Sequence, residues 1–176
     1  MSLPAPDHPQ PLPQLALGLG CDRGTPLATV QTCIAQALAL IGAELAQVCV
    51  MATIAAKADE VAFIALAAQH RWPVRHYSAA QLAAVPVPNP SATVLRYMGT
   101  PSVSEAAALL AAGTDLHDLL VEKHKFRGPD GKNATVSVAR YPCSLFWERE
   151  ATSHGFPPRV AVLVRGGCCI PRFSHT

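Results

Sequence analysis

The stretch Gly18-Leu19-Gly20-Cys21-Asp22-Arg23-Gly24-Thr25 packs glycines, a thiol, an acid and a guanidinium into one tight turn. Glycines there let backbone N–H groups face an anion, and the positive end of a following helix favours it. Arg23 can add a bidentate contact to a carboxylate or phosphate. A Gly-rich connection with a capped helix and a solvated arginine explains the same residues equally well. The spacing G-x-G-x-x-x-G is one residue longer than the dinucleotide fingerprint. No acid closes the second strand and no G-K-[ST] occurs, so nucleotide binding is disfavoured. Cys21, read as lying at a helix N-terminus, is expected to have a lowered pKa, although no base is assigned to it.

Two further loops carry chemistry. Ala55-Ala56-Lys57-Ala58-Asp59-Glu60 puts a lysine and two acids after an apolar run. Lys57 can hold a substrate carboxylate while Glu60 serves as acid or base; the acids also suit an ordinary helix start. In Gly99-Thr100-Pro101-Ser102-Val103-Ser104-Glu105, Ser102 and Glu105 fit an S-x-x-E capping box. Gly99 and Thr100 need another explanation, and the hydroxyls and N–H groups of this loop can line a pocket. In Lys123-His124-Lys125 the two lysines share one face of a strand, toward solvent or toward a polyanion.

The elements that hold these loops alternate. Leu15 to Gly20 reads as a buried strand, followed by a helix from a Thr25 cap with Pro26 at its first position to Ile41 and Gly42. Val48 to Ile54 is a second strand, Asp59 and Glu60 open a helix to His70, and Val74 to Tyr77 is a third strand. Ser78 caps a brief helix through Leu82, and prolines 86 to 90 make a loop. Ser91 to Met98 forms helical turns, and an alanine-rich helix runs from Ser102 to Gly113. Leu119 to Phe126 and Ala134 to Arg140 form an antiparallel hairpin around a turn-rich segment. The order predicts an α/β domain: a three-layer α/β/α sandwich with a mixed, mainly parallel sheet and a C-terminal hairpin. Ligands then gather at the carboxyl ends of the strands, where the first three loops begin.

The 176 residues are half apolar and 15% charged, enough to bury a core and too apolar for disorder along most of the chain. A net charge of +2 gives no footprint for nucleic acid. Six cysteines without C-x-x-C, and histidines without ligand spacing, predict no metal site. Cys33 and Cys49 fall in apolar segments and read as small hydrophobes. No secretory signal or membrane-spanning run is visible, which points to the cytoplasm. Residues 1–14 read as a Pro-rich disordered arm, 15–140 as the domain, and 141–176 as an irregular tail.

In order along the chain, Gly18 to Gly24, Ala52 to Glu60 (with Ala56 where leucine is usual), Val85 to Ser91 and Gly99 to Ala108 resemble motifs of one family. Lys123 to Phe126 with Ala134 to Arg140 resemble its closing hairpin. It is the CobE / CbiG C-terminal domain family of cobalamin biosynthesis, and the resemblance covers residues 15 to 140. In CbiG this domain ends a longer protein similar to a cobalt-precorrin hydrolase that opens a ring lactone and releases acetaldehyde. A chain of 176 residues leaves no room for the other domains, so a stand-alone CobE type is expected.

The resemblance implies a protein that binds a polycarboxylate corrin or precorrin intermediate and assists a hydrolase-type step. The alternative is a non-catalytic interaction subunit or carrier for a neighbouring pathway enzyme. Helix N-termini and cations in an alanine-rich surround suit an apolar macrocycle ringed by carboxylates. The expected substrate-binding residues are Gly20, Cys21, Arg23, Gly24, Lys57, Asp59, Gly99, Thr100, Ser102, Lys123 and Lys125. Glu60 is the catalytic candidate. No cofactor, nucleic acid or membrane partner is expected, and other cobalamin-biosynthesis enzymes are the alternative partners.

Overall fold

The computed structural model describes residues 13–141; the expected arm before residue 13 and tail after 141 lie outside them. Five strands form one sheet in the order β3-β2-β1-β5-β4. β1 (Gln14–Cys21), β2 (Val48–Ile54) and β3 (Val74–Tyr77) pair in parallel, and β5 (Asn133–Tyr141) lies antiparallel to both β1 and β4 (Leu119–Arg127). Four strands therefore run one way and β5 alone opposes them, the mixed, mainly parallel sheet expected. The sheet begins at Gln14 and extends through Tyr141, one residue beyond each expected bound.

Helices cover both faces, which explains why β1 is apolar from Leu15 onward rather than alternating. On one face Leu15, Leu17 and Leu19 pack against Val30, Cys33 and Ile34 of α1 (Leu27–Ala39) and Phe63 and Leu66 of α2 (Val61–His70). On the other, Ala16, Val50, Ala52 and Ile54 meet Leu82 of α3 (Ala79–Ala83) and the alanines of α5 (Val103–Ala112). Between α3 and α5 lies α4 (Ala92–Met98), capped by the Ser91 hydroxyl. Ser78 caps α3 as expected, accepting from the Gln81 amide at 3.2 Å.

Small residues set the spacing of the second layer. Nine of the ten residues of α5 are buried, five of them alanines. A Cβ on Gly18 would stand 1.8 Å from the Ser104 carbonyl oxygen and 2.6 Å from Ala108 N. Strand and helix backbones thus touch through a missing side chain. Since β4 runs parallel to β3, α5 between them must descend, so the Gly99–Ser102 loop starts at the carboxyl edge of the sheet with the other two loops.

Two caps differ from expectation. The first helix starts at Leu27 with Pro26 at its cap, and the Thr25 hydroxyl donates instead to the Asp22 carbonyl at 2.8 Å. The proline fixes the chain one step later than a threonine cap would, leaving Thr25 to close the preceding turn. At α5, Ser102 occupies the cap position but its hydroxyl accepts nothing, and Glu105 does not reach back. Glu105 turns toward the 86–91 loop, where it meets Asn89.

Candidate functional site

The carboxyl edge brings Cys21, Arg23, Gly24, Lys57, Asp59 and Glu60 into one network. Gly24 takes a left-handed turn (φ 67°) that aims its N–H at Glu60 Oε1, 2.8 Å away. Glu60 Oε2 accepts from Lys57 Nζ at 3.2 Å, with Arg23 Nη1 at 3.8 Å. Arg23 donates to Asp59 Oδ1 at 2.6 Å and to the Ala56 carbonyl at 3.3 Å. Lys57 and Glu60 are buried, whereas the Arg23 and Asp59 side chains are 62% and 74% exposed. The two loops are thus clamped by a buried pair beneath and an exposed pair above.

Charge follows from this geometry. The hydrogen bond and charge of Asp59 keep the Arg23 guanidinium more firmly protonated, and Arg23 holds the Asp59 carboxyl below its ordinary value. Cys21 corrects the expectation of a lowered pKa: burial pushes its thiol up to about 11. The Lys57 charge opposes that shift and the Glu60 charge adds to it. Nor does Cys21 start a helix, since α1 begins at Leu27.

Two residues outside the expected binding set, Asp22 and Lys132, complete this edge. Asp22 Oδ2 accepts from the backbone and side-chain N–H groups of Asn133 at 2.7 and 2.9 Å. Lys132 Nζ donates to the carbonyls of Arg23 and Gly24 at 2.9 and 2.8 Å. Both ties come from the hairpin turn, more than a hundred residues away, and no local signal marks them.

In the Gly99 loop the two hydroxyl residues turn inward. Gly99 ends α4 in a left-handed conformation (φ 68°), and Thr100 and Ser102 are fully buried, the Thr100 hydroxyl donating to the Ser102 carbonyl at 3.4 Å. The glycine there closes a helix. Gly20 has room around it: a Cβ would meet only Thr135 Cβ, at 3.9 Å.

A second polar group forms where α5, β4 and the 86–91 loop meet. Glu105 is fully buried; its Oε1 accepts from Asn89 Nδ2 at 2.9 Å, and its Oε2 has no hydrogen bond among the described residues. The same Asn89 nitrogen donates to Glu122 Oε2 at 2.8 Å. Lys123 Nζ donates to the Asn89 carbonyl at 2.9 Å and lies 3.8 Å from Glu105 Oε2. Burial lowers the Lys123 pKa; the Glu105 charge opposes that shift and Lys125 adds to it. Lys125 is exposed and has no ion pair among the described residues. No hydrogen bond or ion pair among the described residues joins this group to the Arg23–Glu60 network.

Lys123 and Lys125 border a groove of about 780 Å³ along the outer edge of β4. Asn89, Pro90 and Ser91 line one side, Leu40 and Ile41 the other, with Leu119 to Val121 along the strand. Among the described residues no cluster of three His, Cys, Asp or Glu side chains could hold a metal, and no helix is long and apolar enough to cross a membrane.

Residues 15–139 match the family model described as cobalamin synthesis G C-terminus. A cobalt-precorrin-5A hydrolase of Priestia megaterium is 36% identical over 128 residues, 73% of this chain but 32% of the hydrolase. The chain therefore spans about a third of that relative. Protein CobE of Sinorhizobium sp is 39% identical over 111 residues, covering 62% of this chain and 71% of that protein. Among solved structures, CobE from the cobalamin (vitamin B12) biosynthetic pathway superposes with a TM-score of 0.60 at 33% identity, over 75% of this chain and 95% of CobE. Cobalamin biosynthesis protein chiG from Agrobacterium tumefaciens str. C58 gives 0.51 at 25% identity, over 73% of this chain and 98% of chiG.

Proposed function

The chain belongs to the cobalamin synthesis G C-terminal family, and we propose that it binds a polycarboxylate corrin-type intermediate of that pathway. The observation that carries the reading is the groove along β4. Its lining is mixed: Leu40, Ile41, Pro90 and Leu119 to Val121 offer apolar contact to a macrocycle, while Lys123 and Lys125 among its polar residues suit peripheral carboxylates. Arg23 is a third candidate, because its ion pair with Asp59 is exposed to solvent, is weakened there by screening, and can exchange for a ligand carboxylate. Lys57, Glu60 and Gly24 build the loop that presents Arg23. Both oxygens of Glu60 are engaged, which favours binding over proton transfer at that residue.

Titration of the protein with a corrin polycarboxylate, followed by absorbance change, tests the reading. Affinity should fall as salt rises, since charge screening weakens each contact. A charge-assisted hydrogen bond contributes roughly 1.5–3 kcal/mol, so Lys125→Met or Arg23→Ala should weaken binding about ten-fold. Absence of binding, or affinity indifferent to salt and to both substitutions, would exclude it. A second reading, a subunit docking on a pathway enzyme, is favoured by the outer edge of β4, which pairs with no strand among the described residues. Co-purification with pathway enzymes but no corrin titration would select that one.

A further inference from the structure

Glu105 is the buried acid that neither capping nor the Arg23–Glu60 network explains. A buried carboxylate is costly unless it is paired and hydrogen-bonded. Among the described residues Glu105 has one side-chain hydrogen bond, from Asn89, and its Oε2 has none. Its place in the first turn of α5, whose N-terminus carries positive partial charge, offsets part of the cost. The Lys123 ammonium at 3.8 Å offsets a further part, and among the described residues it is the cation paired with that oxygen.

The same contacts orient Lys123. Asn89 ties the 86–91 loop to Glu105 and Glu122 through one nitrogen, and its carbonyl takes one N–H of Lys123. An ammonium has three donors, so Lys123 keeps N–H groups for a ligand at the groove.

We infer that Glu105 is a positioning residue, the buried counter-charge that keeps Lys123 an oriented ammonium on the groove rim and never touches the ligand. The inference rests on the corrin-binding reading above. The charged groups around Lys123 are few. Glu105 faces it from α5, Lys125 lies two residues along β4, and Glu122 is linked to it through Asn89. Residues 86–91, and 133–139 of β5, contain no charged side chain. Removing the Glu105 charge should therefore let Lys123 lose its proton at lower pH, while removing Lys125 should act oppositely.

The test is a pH series of titrations with a corrin polycarboxylate on the full chain, run beside an NMR titration of the lysine side chains with Lys123 assigned through Lys123→Met. Glu105→Gln should move both the Lys123 titration and the alkaline loss of affinity down by about one pH unit. Lys125→Met should weaken binding yet move the Lys123 titration upward. Should Glu105→Gln fail to fold, Glu105→Asp, which keeps the charge but withdraws it, should give a smaller downward shift. An unchanged Lys123 titration in the Glu105 variants overturns the inference. A shifted titration in a protein that binds no corrin supports the hold of Glu105 on Lys123 and overturns the ligand reading instead.

Discussion

Replacing Glu60 by glutamine would keep the shape of the carboxyl edge and remove one charge from a buried pair. Lys57 is 8% exposed and its ion partner is Glu60, at 3.2 Å, so the substitution strands an ammonium. Breaking a buried pair by deleting one partner typically costs about 3–5 kcal/mol. Glutamine can still accept from Gly24 N, but as a neutral acceptor, where the bond contributes about 1 kcal/mol less than to a carboxylate. The reverse deletion, Lys57→Met, should cost less. Glu60 would then retain the Gly24 N–H and could draw in Arg23, already 3.8 Å away. Paired side chains do not add, so the double variant should be at least about 1 kcal/mol more stable than the sum of the singles implies. Urea denaturation of the four proteins gives the cycle, and a loss of 3 kcal/mol should also lower Tm by roughly 10 °C. The reasoning fails if Glu60→Gln unfolds within about 0.5 kcal/mol of the parent, a shift ordinary for exposed sites. Loss of a pathway activity in that stable variant would make Glu60 a reacting group, not a clamp.

Gly18→Ala should cost about 3 kcal/mol or more, the upper range for overpacking, because its Cβ would meet the backbone of α5 at 1.8 Å and no side chain can yield. Gly20→Ala, whose Cβ would meet only Thr135 at 3.9 Å, should stay within about 1 kcal/mol by the same denaturation assay. With its thiol pushed up to about 11, Cys21 should alkylate at pH 8 about a hundred-fold more slowly than an ordinary cysteine. Because its folded pKa is raised, the Cys21 thiol stabilises the fold below its unfolded value near 9 and loses that contribution as pH climbs toward 11. Rapid modification of Cys21 in folded protein at pH 8, read by peptide mass analysis, would contradict the burial argument.

Much of the fold is legible because its signals are local. Val48–Ile54 and Val74–Tyr77 lie where the apolar runs and flanking breakers put them, and Ser78 caps α3 through a bond to a residue three positions away. The alternation of strand and helix set the layers and the direction of β1, β2 and β3. The charged loops after β1 and β2 were visible as well, since topology alone sends them to the carboxyl edge.

What those residues do there was decided elsewhere. Spacing leaves Arg23 and Lys57 open to solvent or to a ligand alike, but the fold hands them to Asp59 and Glu60, and Arg23 and Asp59 stand 36 positions apart. Glu105 satisfies the spacing of a capping box yet spends its carboxylate on Asn89 and Lys123, which arrive from a loop and a strand on either side of it in the chain. Cys21 inverted its expected chemistry because burial outweighed the nearby lysine. The β4–β5 hairpin was readable, but not that β5 would lie against β1 and leave β4 as the open edge. Spacing encodes hydrogen bonds that close within a turn or two. Burial, and the partner that compensates a buried charge, depend on contacts between distant segments that exist only once the sheet has assembled.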